Sequence, residues 1–171
     1  MFVGDPTVFG NLSTAKEVKA AMKRAVEEGK ADGYAPSVGS ELARKAIIDR
    51  YKQRFGVDYK CEDVFIASGC SGALDLAISV MCGPGDALLI PQPGFTLYGT
   101  LASSKGVKSI NYGLDEENNW QIKLGEVEEM LKKENEKIKA WIINNPSNPC
   151  GSVYSRDHLI SCLKRKFESK W

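Results

Sequence analysis

The sequence predicts an α/β protein built on a doubly wound, mostly parallel sheet, and three observations carry that prediction. Four short apolar runs, at 64–67, 87–91, 107–112 and 138–143, each give way to a stretch with helical spacing. Strands that alternate with helices are joined by crossovers, which favours parallel pairing with helices on both faces. The connections after the first, second and fourth runs are rich in Gly, Pro, Asn and Ser, and in an open parallel sheet they would share the ligand-binding edge. Finally, no internal repeat or linker-like boundary interrupts the pattern over 171 residues.

Taken in order, the first dozen residues read as an extended lead-in with turn signals at Gly4-Asp5-Pro6 and Gly10-Asn11. Thr14 and Glu17 have the spacing of a capping box, and Val18, Ala21, Met22, Ala25 and Val26 then mark one helical face until Gly29. A rigid turn at 34–39 precedes a second helix through Leu42, Ala46, Ile47 and Tyr51, ended by Gly56. The run at 64–67 is the expected first strand, followed by a tight loop at 68–72 and an apolar helix through Ala73, Leu74, Ala77 and Ile78. The second strand at 87–91 leads through Pro93 and Phe95 into a helix reaching Lys105, and Gly106 opens the third strand. A polar loop at 115–121 carries Trp120, and Leu124, Val127, Met130 and Leu131 mark a helix whose other, charged face is solvated. The fourth strand ends in Asn144-Asn145-Pro146-Ser147-Asn148-Pro149-Cys150-Gly151, and a last helix runs from Ser155 to Phe167.

Composition narrows the partners. With 23 basic and 22 acidic residues the formal charge is +1, too weak a field to recruit nucleic acid or an anionic membrane. No apolar run approaches the ~20 residues of a membrane helix. Five dispersed cysteines without a CxxC pair read as reduced thiols, and the single His158 has no close companion for a zinc site. A cytoplasmic protein is the expectation, with a mitochondrial one left open.

Three of the loops could carry chemistry. Residues 68–72 put backbone N–H groups at a helix N-terminus, where the dipole favours an anion such as phosphate, although a tight Gly-rich turn also serves packing alone. Phe95, behind two prolines, offers an aromatic face to a flat ring or, equally, a core aromatic at a helix start. Asn148 supplies a donor and an acceptor suited to an oxygen on a planar ligand. Together they describe a site for a phosphorylated aromatic cofactor.

Five stretches then carry a resemblance: Gly4-Asp5-Pro6-Thr7-Val8-Phe9-Gly10-Asn11, Gly33-Tyr34-Ala35-Pro36-Ser37-Val38-Gly39, Ser68-Gly69-Cys70-Ser71, Pro93-Gly94-Phe95 with Leu97-Tyr98, and 144–151. From about Phe2 to about Leu163 the chain resembles the tyrosine aminotransferases, a branch of the fold type I, class I/II aminotransferases that depend on pyridoxal 5'-phosphate. The resemblance implies that Gly69, Cys70 and Ser71 hold the cofactor phosphate, that Phe95 stacks on its ring, and that Asn148 bonds its phenolic oxygen. It also implies that Gly39 belongs to the substrate-side loop. The family's Schiff-base lysine and pyridinium aspartate have no counterpart, because Lys164, Lys166 and Lys170 lack Ser-x-Ser-Lys surroundings and Asp157 opens a helix. No catalytic residue is therefore assigned.

The implied layout is an N-terminal segment at 1–57, a partial cofactor-binding large domain at 58–164 and a divergent tail at 165–171. In the family three later strands lie between the first and the fourth, so the sheet is expected to be incomplete, with open backbone edges and low stability. The implied activity is transamination of tyrosine or another aromatic amino acid with a 2-oxo acid acceptor by a full-length homodimer. The fragment alone is expected to be inactive. Two alternatives stand beside it: a Rossmann-type, methyltransferase-like enzyme, which leaves 144–151 unexplained, and a non-catalytic truncated partner of a full-length subunit.

Overall fold

The computed structural model describes residues 5, 7–10, 12–133 and 137–168, with side chains of the last helix described through 164. Gly4, Pro6 and Asn11 of the opening motif, and 169–171 of the divergent tail, lie outside the described residues. The chain divides into two compact units, Met1–Ile66 and Ala67–Trp171.

In the first unit, α1 (Lys16–Glu28) and α2 (Glu41–Phe55) end where Gly29 and Gly56 turn left-handed, at φ +62° and +67°. The Thr14 capping box does not form: α1 starts after Ala15, one position too late for the Thr14 hydroxyl to occupy the cap. A 3-10 turn, Cys61–Asp63, follows, and its Asp63 carboxylate accepts from the Lys60 N–H at 2.8 Å. Residues 64–67 are extended but join no ladder among the described residues, so the expected first strand is absent. An extended run becomes a strand only when a neighbour takes its backbone bonds. One such bond does form, from the Ile66 N–H to the Val38 carbonyl at 3.1 Å. No described residue of this unit is buried, although Val18, Met22 and Val26 line one side of α1.

The second unit is the α/β layer structure that the sequence predicts. Its sheet runs β3-β2-β1-β4, formed by β1 (Ala87–Gln92), β2 (Lys108–Asp115), β3 (Gln121–Ile122) and β4 (Ile138–Trp141). β1 pairs parallel with β2 and β4, with Leu89 opposite both Ile110 and Trp141. The antiparallel β3 starts at Gln121, the last residue of the stretch expected to be loop, because β2 continues to Asp115 and the chain doubles back on it. The third strand begins at Lys108 rather than Val107.

Alternation along β1 builds two cores. Leu88 and Ile90 face α3 (Gly69–Met81) and α4 (Leu97–Ser104), meeting Ile78, Tyr98, Ala102 and Ala140. Ala87 and Leu89 face the other way, toward Val127 and Leu131 of α5 (Leu124–Lys133), Cys162 of α6 (Arg156–Glu168), and Tyr112 and Ile138. Because β1 is covered on both sides it reads as one continuous apolar run. Each fully buried leucine contributes about 1.5–3 kcal/mol. Lys105 Nζ meets Asp75 Oδ1 at 2.6 Å and ties the end of α4 to α3.

Candidate active site

The sheet sets the site before any side chain does. β1 and β4 are parallel neighbours, so the connections that leave their carboxyl ends, through Phe95 and through 144–151, belong to the same edge.

The predicted loop at 68–72 is already helix: Ser68 is the N-cap position, and α3 begins at Gly69. Gly69 takes φ +67°, and a Cβ built there would meet nothing within 4 Å, so backbone angle rather than crowding calls for glycine in this chain. Ser68 makes no side-chain cap, and the N–H groups of Gly69, Cys70 and Ser71 have no acceptor among the described residues. Gly72 is the first to bond within the helix, donating to the Ser68 carbonyl at 3.3 Å. Three donors of exposed residues at the positive end of a helix dipole are placed where an anion is favoured.

Phe95 precedes α4 instead of lying within it, and its ring is 40% exposed. Gly94 before it is sterically fixed, since a Cβ there would collide with the Pro91 carbonyl. Tyr98, one turn later, meets the Phe95 ring edge-on, with centroids 5.7 Å apart and planes at 88°. Burial pushes the Tyr98 phenol up from its ordinary range, and the Cys70 thiol adds to that rise. An open groove of about 720 Å³ lies along α4 beside Phe95, lined also by Gln92, Thr96, Thr100 and Asn111. It includes neither the α3 N–H groups nor Asn148.

The loop after β4 closes on itself. Asn145 Oδ1 accepts from the Tyr154 N–H at 2.8 Å, the buried Ser147 donates its N–H to the Ser152 carbonyl at 2.9 Å, and Gly151 donates to the Ser147 carbonyl at 2.7 Å. Burial raises the Tyr154 phenol, and the Ser147 hydroxyl bonded to it acts in the opposite direction. Below the loop, Tyr112 donates its hydroxyl to the Ile142 carbonyl at 2.7 Å and is itself raised by burial. With the backbone so held, Asn148 stands exposed and without a hydrogen bond among the described residues. The structural role of Asn145 was not visible in the sequence, where the two Asn-Pro steps look alike.

Gly39 lies in the first unit, at φ +98°, where a Cβ would stand 2.6 Å from Ile66 Cβ. Its N–H donates to the Pro36 carbonyl at 2.8 Å. Arg44 Nε donates to the Gly39 carbonyl at 3.2 Å, and Arg44 Nη1 to the Cys61 carbonyl at 2.7 Å. Sequence reading missed that arginine; its only signal was a basic residue on the inner side of an otherwise solvated helix.

The donor set in the second unit fits a phosphorylated aromatic ring: three free N–H groups for the phosphate, a half-open aromatic face and an uncommitted amide. Comparison with known proteins agrees in kind. The family described as aminotransferase class I and II matches residues 1–170. Tyrosine aminotransferase of Homo sapiens is 47% identical over 161 residues, covering 94% of this chain and 35% of that protein. The Dictyostelium discoideum tyrosine aminotransferase is 37% identical over 95% of the chain and 38% of its own length. Among solved structures, tyrosine aminotransferase from Leishmania infantum superposes with a TM-score of 0.91 at 35% identity, over 98% of this chain and 46% of that one. Alanine aminotransferase from Pyrococcus furiosus gives 0.89 at 32% identity, over 98% and 41%. The chain therefore spans little more than a third of the curated relatives it matches. By sequence and by fold, it belongs to the class I and II aminotransferases.

Proposed function

We propose that this chain supplies the cofactor-binding part of a pyridoxal-phosphate-dependent aminotransferase that acts on tyrosine or another aromatic amino acid with a 2-oxo acid as acceptor. The observation that carries the reading is the set of unpartnered N–H groups of Gly69, Cys70 and Ser71 at the start of α3. The tyrosine aminotransferases among its relatives support the substrate class. When bound, pyridoxal phosphate supplies a carbonyl that bonds amines and a ring that accepts electrons. Gly69, Cys70 and Ser71 hold the phosphate dianion with their N–H groups, aided by the α3 dipole. Phe95 covers the ring and excludes water from one side. Asn148 donates to the phenolic oxygen and so fixes the ring's rotation. Gly39 serves the substrate-side loop.

No lysine of the sequence stands in Ser-x-Ser-Lys surroundings, so the 171 residues by themselves are expected to hold the cofactor without a covalent bond and to leave tyrosine unreacted. Titration with pyridoxal phosphate, borohydride reduction and mass spectrometry test this. Saturable binding with no fixed adduct is the expected result. Cofactor fixed on one specific lysine, or no saturable binding at all, would overturn it.

A second reading is favoured by the open backbone: 64–67 has no ladder partner and β4 pairs on one side only among the described residues. We infer that such edges suit a non-catalytic partner of a longer subunit, in keeping with the homodimer the resemblance implies. Size-exclusion chromatography of the chain co-expressed with a full-length relative decides, since separate elution of the two would remove this reading.

A further inference from the structure

We propose that Tyr98 is a positioning residue that holds the Phe95 ring upright and couples this aromatic wall to α3, the helix that carries the phosphate-binding turn. The inference rests on the pyridoxal-phosphate reading above.

Tyr98 is only 6% exposed and belongs to a core drawn from four elements: Ile78 of α3, Leu88 and Ile90 of β1, Ala102 of α4 and Ala140 of β4. Its own position is therefore set by packing from several directions. Phe95, by contrast, is 40% exposed and projects from a connection, so burial alone leaves its ring several rotamers. Two contacts remove that freedom. The Tyr98 N–H donates to the Phe95 carbonyl at 3.3 Å, and the two rings meet near a right angle at 5.7 Å, an attractive edge-to-face geometry.

Tyr98 also reaches α3. It shares its core with Ile78, and Leu74, one turn earlier in that helix, packs against the same core. One rigid side chain thus holds the wall with its ring and takes its own position from the helix that carries the cradle. A shift of α3 against α4 is transmitted to Phe95 without passing through the ligand.

Tyr98→Phe and Tyr98→Leu test the assignment in the whole chain, with pyridoxal phosphate and inorganic phosphate as probes and 4-fluorophenylalanine reporting on Phe95 by fluorine NMR. Tyr98→Leu should weaken pyridoxal phosphate roughly two- to tenfold, the range of an aromatic pair, and move the Phe95 resonance toward its solvent-exposed position. Inorganic phosphate, which needs no wall, should change less than about twofold. Tyr98→Phe keeps the ring and should restore both readouts, whereas a loss of general stability would weaken both probes alike. Should Tyr98→Leu not fold, Tyr98→Met takes its place. An unmoved Phe95 resonance in the aliphatic variant, or no rescue by Tyr98→Phe, overturns the proposal. If the parent chain binds no pyridoxal phosphate, the cofactor reading fails and the resonance alone decides the role of Tyr98.

Discussion

Asn145 and Asn148 share one sequence context, each ahead of a proline in the same loop, yet they have opposite uses. The Asn145 amide oxygen satisfies the Tyr154 N–H, so Asn145→Ala leaves a half-buried donor without an acceptor. The expected cost is about 1–2 kcal/mol, read as a lower urea midpoint. Asn148 touches no described residue, so Asn148→Ala should leave that midpoint in place and weaken pyridoxal phosphate alone. A variant pair with the two effects exchanged would show that the loop has been read backwards. The glycines divide in the same way. Gly69→Ala meets open space and bears only the left-handed backbone cost, about 1–2 kcal/mol. Gly39→Ala adds a collision with Ile66, and faster amide exchange at Ile66, whose N–H is held by Val38, is the expected signature. The sequence could nominate such residues by type, but it could not separate roles that depend on which backbone group lies opposite.

At the scale of elements, periodicity located every α-helix among the described residues but neither 3-10 turn, and three of the four apolar runs became strands. The fourth, 64–67, shows why the rest was hidden: an apolar run records a tendency to extend, whereas a strand also needs a partner that local sequence does not specify. The same limit hid β3, whose two residues pair only because β2 continues to Asp115. The loop foreseen at 68–72 turned out to be the first turn of α3, which makes its dipole directly testable. Ser71→Glu places a carboxylate in that turn and should raise helix stability by about 0.3–1 kcal/mol while abolishing phosphate binding. Raised stability with unchanged phosphate affinity would remove the anion from this site. Tyr112 supplies a test of β2 against the segment after β4. Burial raises its folded pKa above the ordinary 10.0, so its contribution is complete below that value and is lost as pH rises through the folded pKa. Unfolding midpoints should therefore fall above about pH 10, and Tyr112→Phe should flatten that fall while losing about 1 kcal/mol with the Ile142 bond at neutral pH.

Across the whole molecule, burial is unevenly distributed. Among the described residues, the buried apolar ones lie between Ile78 and Cys162, and none belongs to the first unit. Val18, Met22 and Val26 repeat at four-residue spacing along α1 yet remain exposed, so that stripe, legible in the sequence as a core face, is not buried among the described residues. A helix stabilised by propensity alone is marginal at thirteen residues. Amide exchange should therefore show two regimes. Leu88 and Leu89, paired on both sides in β1, and Ile90, paired with β2 alone, are buried and open only with the second unit as a whole. Residues 18–26, without burial, and Phe65 and Ala67, without a backbone acceptor among the described residues, should exchange at rates near those of unstructured peptide, with Ile66 slowed only by its bond to the Val38 carbonyl. If a longer subunit completes the open edges, its addition should slow 64–67 and leave Leu88–Ile90 unchanged, because the latter are already protected. Strong protection of Phe65 and Ala67 in the isolated chain would mean that this backbone is paired after all, and the case for an open edge would fall with it.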